Sequence, residues 1–338
     1  MLAFAAAPAS WCLRRATSDA VGRYKQLSES PDARGKSRDQ LLEDAFTYTE
    51  GKLIHLAGTA PMYDYEFQPQ LGSVPFNPSL AYGVITAGAQ HKNWSGLVNT
   101  TSPDLELGAI EAFADATGGI CLQVGPQFSE SAWDGRLDDP NVSLNEEDQA
   151  VLSFLDSCEK RFGINSAIYV SFGTVYSPSR RPDLLLTLID SLLSAEPPLP
   201  FVFATVTTYH LISEATRTKV IESGLGIITR FAPQQMVLQH PATGWFMTHT
   251  GSGGMYESII SKVPMVCWPC MTDQPISAAN LSVNWRVAFE LIQVRTGPSV
   301  GQPTYRGPTV VGSTEAIENE MREVWAAMRG EEGAERTD

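Results

Sequence analysis

From Ser166 onward, short apolar or β-branched runs alternate with longer amphipathic stretches. A chain with that alternation buries its apolar faces as a parallel sheet covered by helices. Ala167-Ile-Tyr-Val-Ser-Phe172 reads as the first strand and stops at Gly173-Thr174. A helix follows over 183–195, with Leu184, Leu185, Leu188, Ile189 and Leu192 on one face. Glu196-Pro-Pro-Leu-Pro200 ends it, and Phe201-Val-Phe-Ala-Thr-Val206 is the next strand. Strands over 226–229, 244–248, 265–268 and 288–292 continue the series. A last helix over 314–328 is cut short by a charged tail.

Before Ser166 the pattern weakens. Residues 20–50 are polar with helical spacing, and 57–83 are rich in Pro, Gly and Tyr, which predicts irregular structure lying on the surface. Residues 94–99 and 119–124 read as two strands separated by a helix over 103–117. A linker over 126–145 leads into an amphipathic helix over 146–161. With 338 residues, 43% of them hydrophobic, the chain has material for two cores. The division expected is 1–144 and 145–338.

Thirty-eight acidic against 24 basic residues give a formal charge of −14, which argues against nucleic acid or an anionic membrane as a partner. One phosphorylated ligand remains possible, since backbone N–H groups at a helix terminus can hold it. Five scattered cysteines suit a reducing, cytoplasmic compartment. Cys267-Trp-Pro-Cys270 has C-x-x-C spacing but follows the apolar run 263–266. It therefore ends a buried strand, whereas a redox pair opens a helix. No apolar run reaches 18 residues, so stable membrane insertion is not expected. The apolar opening 1–10 precedes Arg14-Arg15, the reverse of a signal peptide, and reads as a broken core segment.

The densest chemistry lies between Phe231 and Gln274. A strand ending at His249 runs into Gly251-Ser-Gly-Gly254, which opens a helix near Met255. Glycines admit a phosphate close to the backbone, first-turn N–H groups point at it, and the helix dipole adds about 0.3–1 kcal/mol. Such a turn alone is equally consistent with a plain tight turn. Glu257 lies one turn into the helix, where a carboxylate suits ribose hydroxyls; otherwise it is an exposed first-turn acid.

Taken together, Phe231-Ala-Pro-Gln234, Val237-Leu238, His240-Pro241, Gly244, Phe246, Thr248-His249, Gly251, Glu257-Ser258, Val263-Pro264, Pro269 and Asp273-Gln274 resemble the C-terminal signature of family-1 UDP-glycosyltransferases, most closely fungal members. Residues 94–100, Val124-Gly-Pro126 and Tyr169-Val-Ser-Phe-Gly-Thr174 resemble other segments of that family. The resemblance implies a GT-B-like α/β fold of two Rossmann-like domains with parallel sheets, the N-terminal one incomplete. It also implies a UDP-sugar donor as co-substrate, with no cofactor, and a monomer acting on a small lipophilic acceptor. Phe231 would stack on uracil in place of the more usual Trp, a contact worth about 1–3 kcal/mol by analogy with other base platforms; the plain alternative is a core aromatic. Ala232 would read the uracil edge through its backbone, Gln234 would approach the ribose and Glu257 would bind its hydroxyls. Gly173, Thr174, His249 and the turn Gly251, Ser252, Gly253, Gly254 would face the diphosphate. Asp273 and Gln274 would hold sugar hydroxyls, a role compatible with capping a helix. Ser252-Gly253-Gly254 replaces the plant-type Trp-Asn-Ser and so drops two side-chain contacts to phosphate.

No Asp-x-Asp triplet occurs; the nearest thing is Asp64-Tyr-Glu66, so a metal-dependent site is not suggested. In the family a His near the start of the N-terminal domain, oriented by an Asp, deprotonates the acceptor, which attacks with inversion. His55, His91, His210 and His240 do not stand in that position, His240 reading as a structural helix cap, and the chain reads as truncated at both ends. Transfer of a sugar, glucose by default, is the first reading and a UDP-sugar-binding fragment lacking the catalytic His the second. A nicotinamide-dependent oxidoreductase is the third; it lacks G-x-G-x-x-G with a following acid.

Overall fold

A computed structural model describes residues 2–5, 20–70, 96–117, 120–135, 143–174, 181–271 and 273–337. In the first half, strands β1 (Leu2–Ala5), β4 (Gly96–Asn99) and β5 (Ile120–Gln123) form a parallel sheet in the order β1-β4-β5. The short pair β2 (Leu53–Ile54) and β3 (Met62–Tyr63) is antiparallel. Helices α1 (Ala20–Glu29), α2 (Arg38–Thr47), α3 (Pro103–Thr117) and the short α4 (Glu130–Trp133) accompany them. Residues 2–5 of the apolar opening form a strand paired with β4, and α4 interrupts the expected linker.

Helix α5 (Glu146–Phe162) starts the second half. Its ends are written in sequence: Asn145 and Asp148 form a reciprocal capping box, Lys160 and Arg161 face the negative end of the dipole, and Gly163 terminates the helix at φ 94°. Strands β6 (Ala167–Ser171), β7 (Phe201–Ala204), β8 (Gly226–Thr229), β9 (Thr243–Thr248), β10 (Met265–Cys267) and β11 (Ala288–Glu290) follow. Between them run α6 (Pro182–Leu193), α7 (Glu214–Ser223), α8 (Gln234–Gln239), α9 (Ser252–Ile260) and α10 (Gln274–Ala279), and α11 (Thr314–Ala327) and α12 (Glu331–Thr337) close the chain. All six strands are parallel, in the order β11-β10-β9-β6-β7-β8. The chain winds outward from β6 to β8, then returns to the other side of β6. The C-terminal ends of β6 and β9 therefore flank a topological switch point, the place where such sheets leave a crevice.

Both faces of this sheet are buried, which is why its strands read as continuous apolar runs. Ile168 and Val170 pack on one face with Phe203, Trp245 and Leu188; Ala167 and Tyr169 pack on the other with Val202, Phe246 and Leu155. Cys267 and Cys270 are fully buried free thiols, and burial pushes Cys270 up to about 12, so both act as packing rather than redox groups.

Two expectations are corrected. Residues 57–83 do not all lie on the surface: Met62, Tyr65, Glu66, Phe67 and Gln70 are buried, while 71–83 fall outside the described residues. Glu66 accepts from Arg295 (3.0 Å), Arg295 also donates to Glu290 (2.7 Å), and Arg306 donates to Glu290 (3.1 Å). Tyr65 Oη donates to Pro303 O (2.7 Å) and the Thr296 N–H to Pro69 O (2.7 Å). A polar segment is drawn inside because its carboxylate finds a buried guanidinium. Ile54, Leu56, Met62 and Phe67 share a cluster with Ala109, Ile276 and Ala279. The charged tail, in turn, is helix α12, in which Arg336 donates to Glu332 one turn back (2.8 Å). Among the described residues no helix is long and apolar enough to cross a membrane.

Candidate functional site

At the switch point the C-terminal ends of β6, β7, β8 and β9 surround a cleft of about 470 Å³. Gly173, Thr174, Phe231, Ala232, Gln234, His249, Gly251, Ser252, Gly253, Gly254, Asp273 and Gln274 line it. Twelve of the thirteen residues singled out from sequence thus meet at one place. Glu257, the thirteenth, stands directly behind: Gln234 Nε2 donates to its Oε2, and Gln235 Nε2 to its Oε1 (3.4 Å). Burial raises the Glu257 pKa, and the two amides oppose that rise.

His249 stands between Gly173 and Gly251 in the cleft wall. Its ring fills the space that side chains at two glycines would need. A Cβ on Gly173 would stand 2.7 Å from His249 Cε1, and one on Gly251 2.5 Å from Nε2. Gly173 also has φ 71°, so two constraints exclude a side chain there. Burial lowers His249 to about 4, so the ring is neutral at pH 7 and offers an N–H hydrogen bond rather than a charge.

The chain leaves β9 through Thr250, a β-branched residue at φ 62°. That strain is offset where Thr250 Oγ1 donates to Gln274 O (2.9 Å) and its N–H to Thr248 Oγ1 (3.2 Å). The turn aims the start of α9 at the cleft; Gly251 is its N-cap and has no side chain to satisfy the first N–H groups. Asp273 is the N-cap of α10 by position but makes no side-chain capping bond. The Gln274 Oε1 accepts from the N–H groups of Cys270 (2.9 Å) and Met271 (3.1 Å). Its carbonyl thus shapes the loop, leaving the amide nitrogen as the group able to meet a ligand.

Phe231 is 56% exposed, so the core-aromatic reading of that residue does not hold. Val206 lines the same cleft. Ala204 and Thr229 are register partners on β7 and β8, and Val206 and Phe231 each lie two residues further on. Tyr169, Ser171, Ala204, Val206 and Arg230 also line the cleft and were missed from sequence. The available signal was positional: Ser171, Ala204, Val206 and Arg230 sit at or just beyond strand ends, and Tyr169 lies two residues before the end of β6.

The histidines considered as bases are elsewhere. His55 and His210 are exposed, and neither lines the cleft. His55 follows β2, as a strand-edge position; His210 lies in a short 3₁₀ turn rather than an open loop. His240 caps α8: its Nδ1 accepts from the Ala242 N–H (3.1 Å), so Nε2 carries the proton facing Asp156 (3.3 Å). Asp156, Glu159 and His240 lie close enough to suggest a cation site, but that tautomer presents a proton rather than a lone pair. His91 lies outside the described residues. Asp64 accepts from the N–H groups of Glu50 (2.6 Å) and Gly51 (3.0 Å), and Glu66 is held by Arg295, so this carboxylate pair is committed to structure.

Residues 153–297 match a sequence profile described as UDP-glucoronosyl and UDP-glucosyl transferase. The match spans all strands from β6 to β11 and every residue of the cleft. The UDP-glycosyltransferase eriJ of Hericium erinaceus is 29% identical over 322 residues, covering 91% of this chain and 60% of that protein. The segment that carries the six-stranded sheet and the cleft is similar to UDP-glycosyltransferases. UDP-glycosyltransferase 76C1 of Arabidopsis thaliana is 36% identical over 152 residues, 44% of this chain and 32% of that protein. Os79 of O. sativa, solved in complex with UDP, superposes with a TM-score of 0.63 at 21% identity, covering 99% of this chain and 65% of that one. The fold is GT-B-like, as in the solved UDP-glycosyltransferases it superposes on, and among the described residues the N-terminal sheet has three strands. The chain spans less than two thirds of the length of the curated relatives named here.

Proposed function

We propose that this chain forms the UDP-sugar site of a glycosyltransferase. The enzyme would pass a sugar, glucose by default, from UDP to a hydroxyl of a small lipophilic acceptor, with inversion and without metal or cofactor. It would act as a cytoplasmic monomer, residues 145–338 serving as donor domain and 1–144 as part of an acceptor domain. The observation that carries the reading is the exposed ring of Phe231 at one end of a cleft whose other end is His249 and the start of α9. That spacing of an aromatic platform and an anion-binding turn suits a nucleoside diphosphate.

Phe231 would stack on the uracil beside Val206, with Ala232 reading its edge. Gln234 and Glu257 would take the ribose hydroxyls. Thr174, His249 and the N–H groups of Ser252, Gly253 and Gly254 would hold the diphosphate, with Gly173 and Gly251 giving it room. Asp273 and the Gln274 amide would meet the sugar. As the glycosidic bond breaks, charge grows on the departing UDP, and N–H donors already aimed at the phosphate stabilise that change without a metal.

A second reading, binding without transfer, draws support from His55, His210 and His240 standing outside the cleft lining. Calorimetric titration with UDP and with NAD, repeated on His249→Ala and Glu257→Ala, tests the site. UDP is expected to bind and NAD not, with each substitution weakening UDP by about ten-fold or more, the range for hydrogen bonds to charged groups. Tight UDP binding indifferent to both changes would sink the assignment. Incubation with UDP-glucose and a panel of phenols and terpenols then separates transfer from binding alone.

A further inference from the structure

We infer that Tyr169 is a positioning residue that sets the orientation of the Gln234 amide and, through it, of the Glu257 carboxylate. The inference rests on reading Gln234 and Glu257 as the ribose site. Tyr169 is the third residue of β6 and faces Phe246, its register partner on β9; the rings stack with centroids 5.0 Å apart and planes at 11°. The ring cannot swing away, and its hydroxyl is delivered to the cleft wall, where it meets Gln234 Oε1 at 3.2 Å. Burial drives the phenol well above its ordinary pKa, so it keeps its proton and donates.

With Oε1 taken by that donor, the amide turns Nε2 toward Glu257 Oε2, while Gln235 Nε2 reaches Oε1 (3.4 Å). The chain of donors runs one way, from sheet to α8 to α9. A carboxylate held by one amide on each oxygen stays in a single rotamer and keeps a lone pair on each oxygen for a vicinal diol. The groups facing Glu257 are these two amides, with Tyr169 as the titratable neighbour from the sheet. Loosening the Gln234 amide removes one of the two influences that oppose the burial-driven rise in Glu257, so ionisation then requires a higher pH.

Tyr169→Phe keeps the stacked ring and removes the hydroxyl alone. Titration of the 338-residue chain with UDP and with 2′,3′-dideoxy-UDP, across a pH series, reads the effect. The wild type is expected to prefer UDP. In Tyr169→Phe that preference should shrink about five-fold, the scale of one hydrogen bond, with dideoxy-UDP affinity unchanged. The acid limb of UDP binding should move to higher pH. A cycle with Gln234→Leu adds a second measurement: the losses should be non-additive, because Tyr169 acts through Gln234. An undiminished preference with an unmoved acid limb overturns the inference, as does equal weakening of both ligands with a lowered melting temperature, which marks a packing role. A wild type indifferent to the ribose hydroxyls removes the ribose reading itself, and that result is visible before any variant is made.

Discussion

His249 shows how much one residue's surroundings decide. The ring was legible from its place after a strand and before Gly251; its neutrality was not, because burial between β6 and α9 arises only in the folded chain. Its pKa of about 4 lies below the unfolded 6.5, so between those values the unfolded chain binds more protons, and stability is lost as pH falls through that window. Glu320, raised to about 7 by burial, works in the opposite sense, losing stability as pH rises from its ordinary range. Comparing wild type with His249→Asn cancels the Glu320 contribution. Between pH 7.5 and 5 the wild type should lose about 2 kcal/mol more than the variant in chemical denaturation. Equal losses would place the ring in water. Phe231 was legible from its place in the motif, whereas Val206 was not: its position in the cleft depends on β7–β8 register, which no local pattern records.

Among elements, the strands from β6 onward were readable to within one or two residues because a doubly covered parallel strand must be apolar throughout. Their ends were less so. Phe172 belongs to the apolar run, yet β6 ends at Ser171 where the chain turns toward Gly173 at φ 71°. Helix α12 was hidden by its charge, since a short helix resting little of its surface on the core shows no apolar stripe. Helix α9 carries a cost that its proposed task explains. Gly253 stands in its first turn with open space where a Cβ would be. Gly253→Ala should therefore raise stability by about 0.5 kcal/mol in thermal unfolding and weaken UDP in the same preparation, because the methyl enters the space proposed for the phosphate. Unchanged UDP affinity would show that the glycine serves the turn alone.

At the scale of the whole molecule, the buried carboxylates and guanidinia of Glu66, Glu290, Arg295 and Arg306 join the segment after β3 to the loop after β11. Composition made that segment look like surface, because sequence does not disclose that a charge has a distant partner. Glu66→Ala would take from buried Arg295 one of its two carboxylate partners, leaving Glu290, and would orphan the Tyr63 and Tyr305 N–H groups that Glu66 accepts from. The expected cost is about 3–5 kcal/mol, with faster amide exchange over 62–70; a change under about 1 kcal/mol would mean water reaches the guanidinium. The strand order has a consequence of its own. Because the chain reverses beside β6, the sheet consists of two wings, β6-β7-β8 and β9-β10-β11, that meet along one line, and the cleft straddles that line with Phe231 on one side and His249 on the other. A nucleotide bound as proposed would be a stitch across a seam, so its occupancy would raise the cohesion of the two wings.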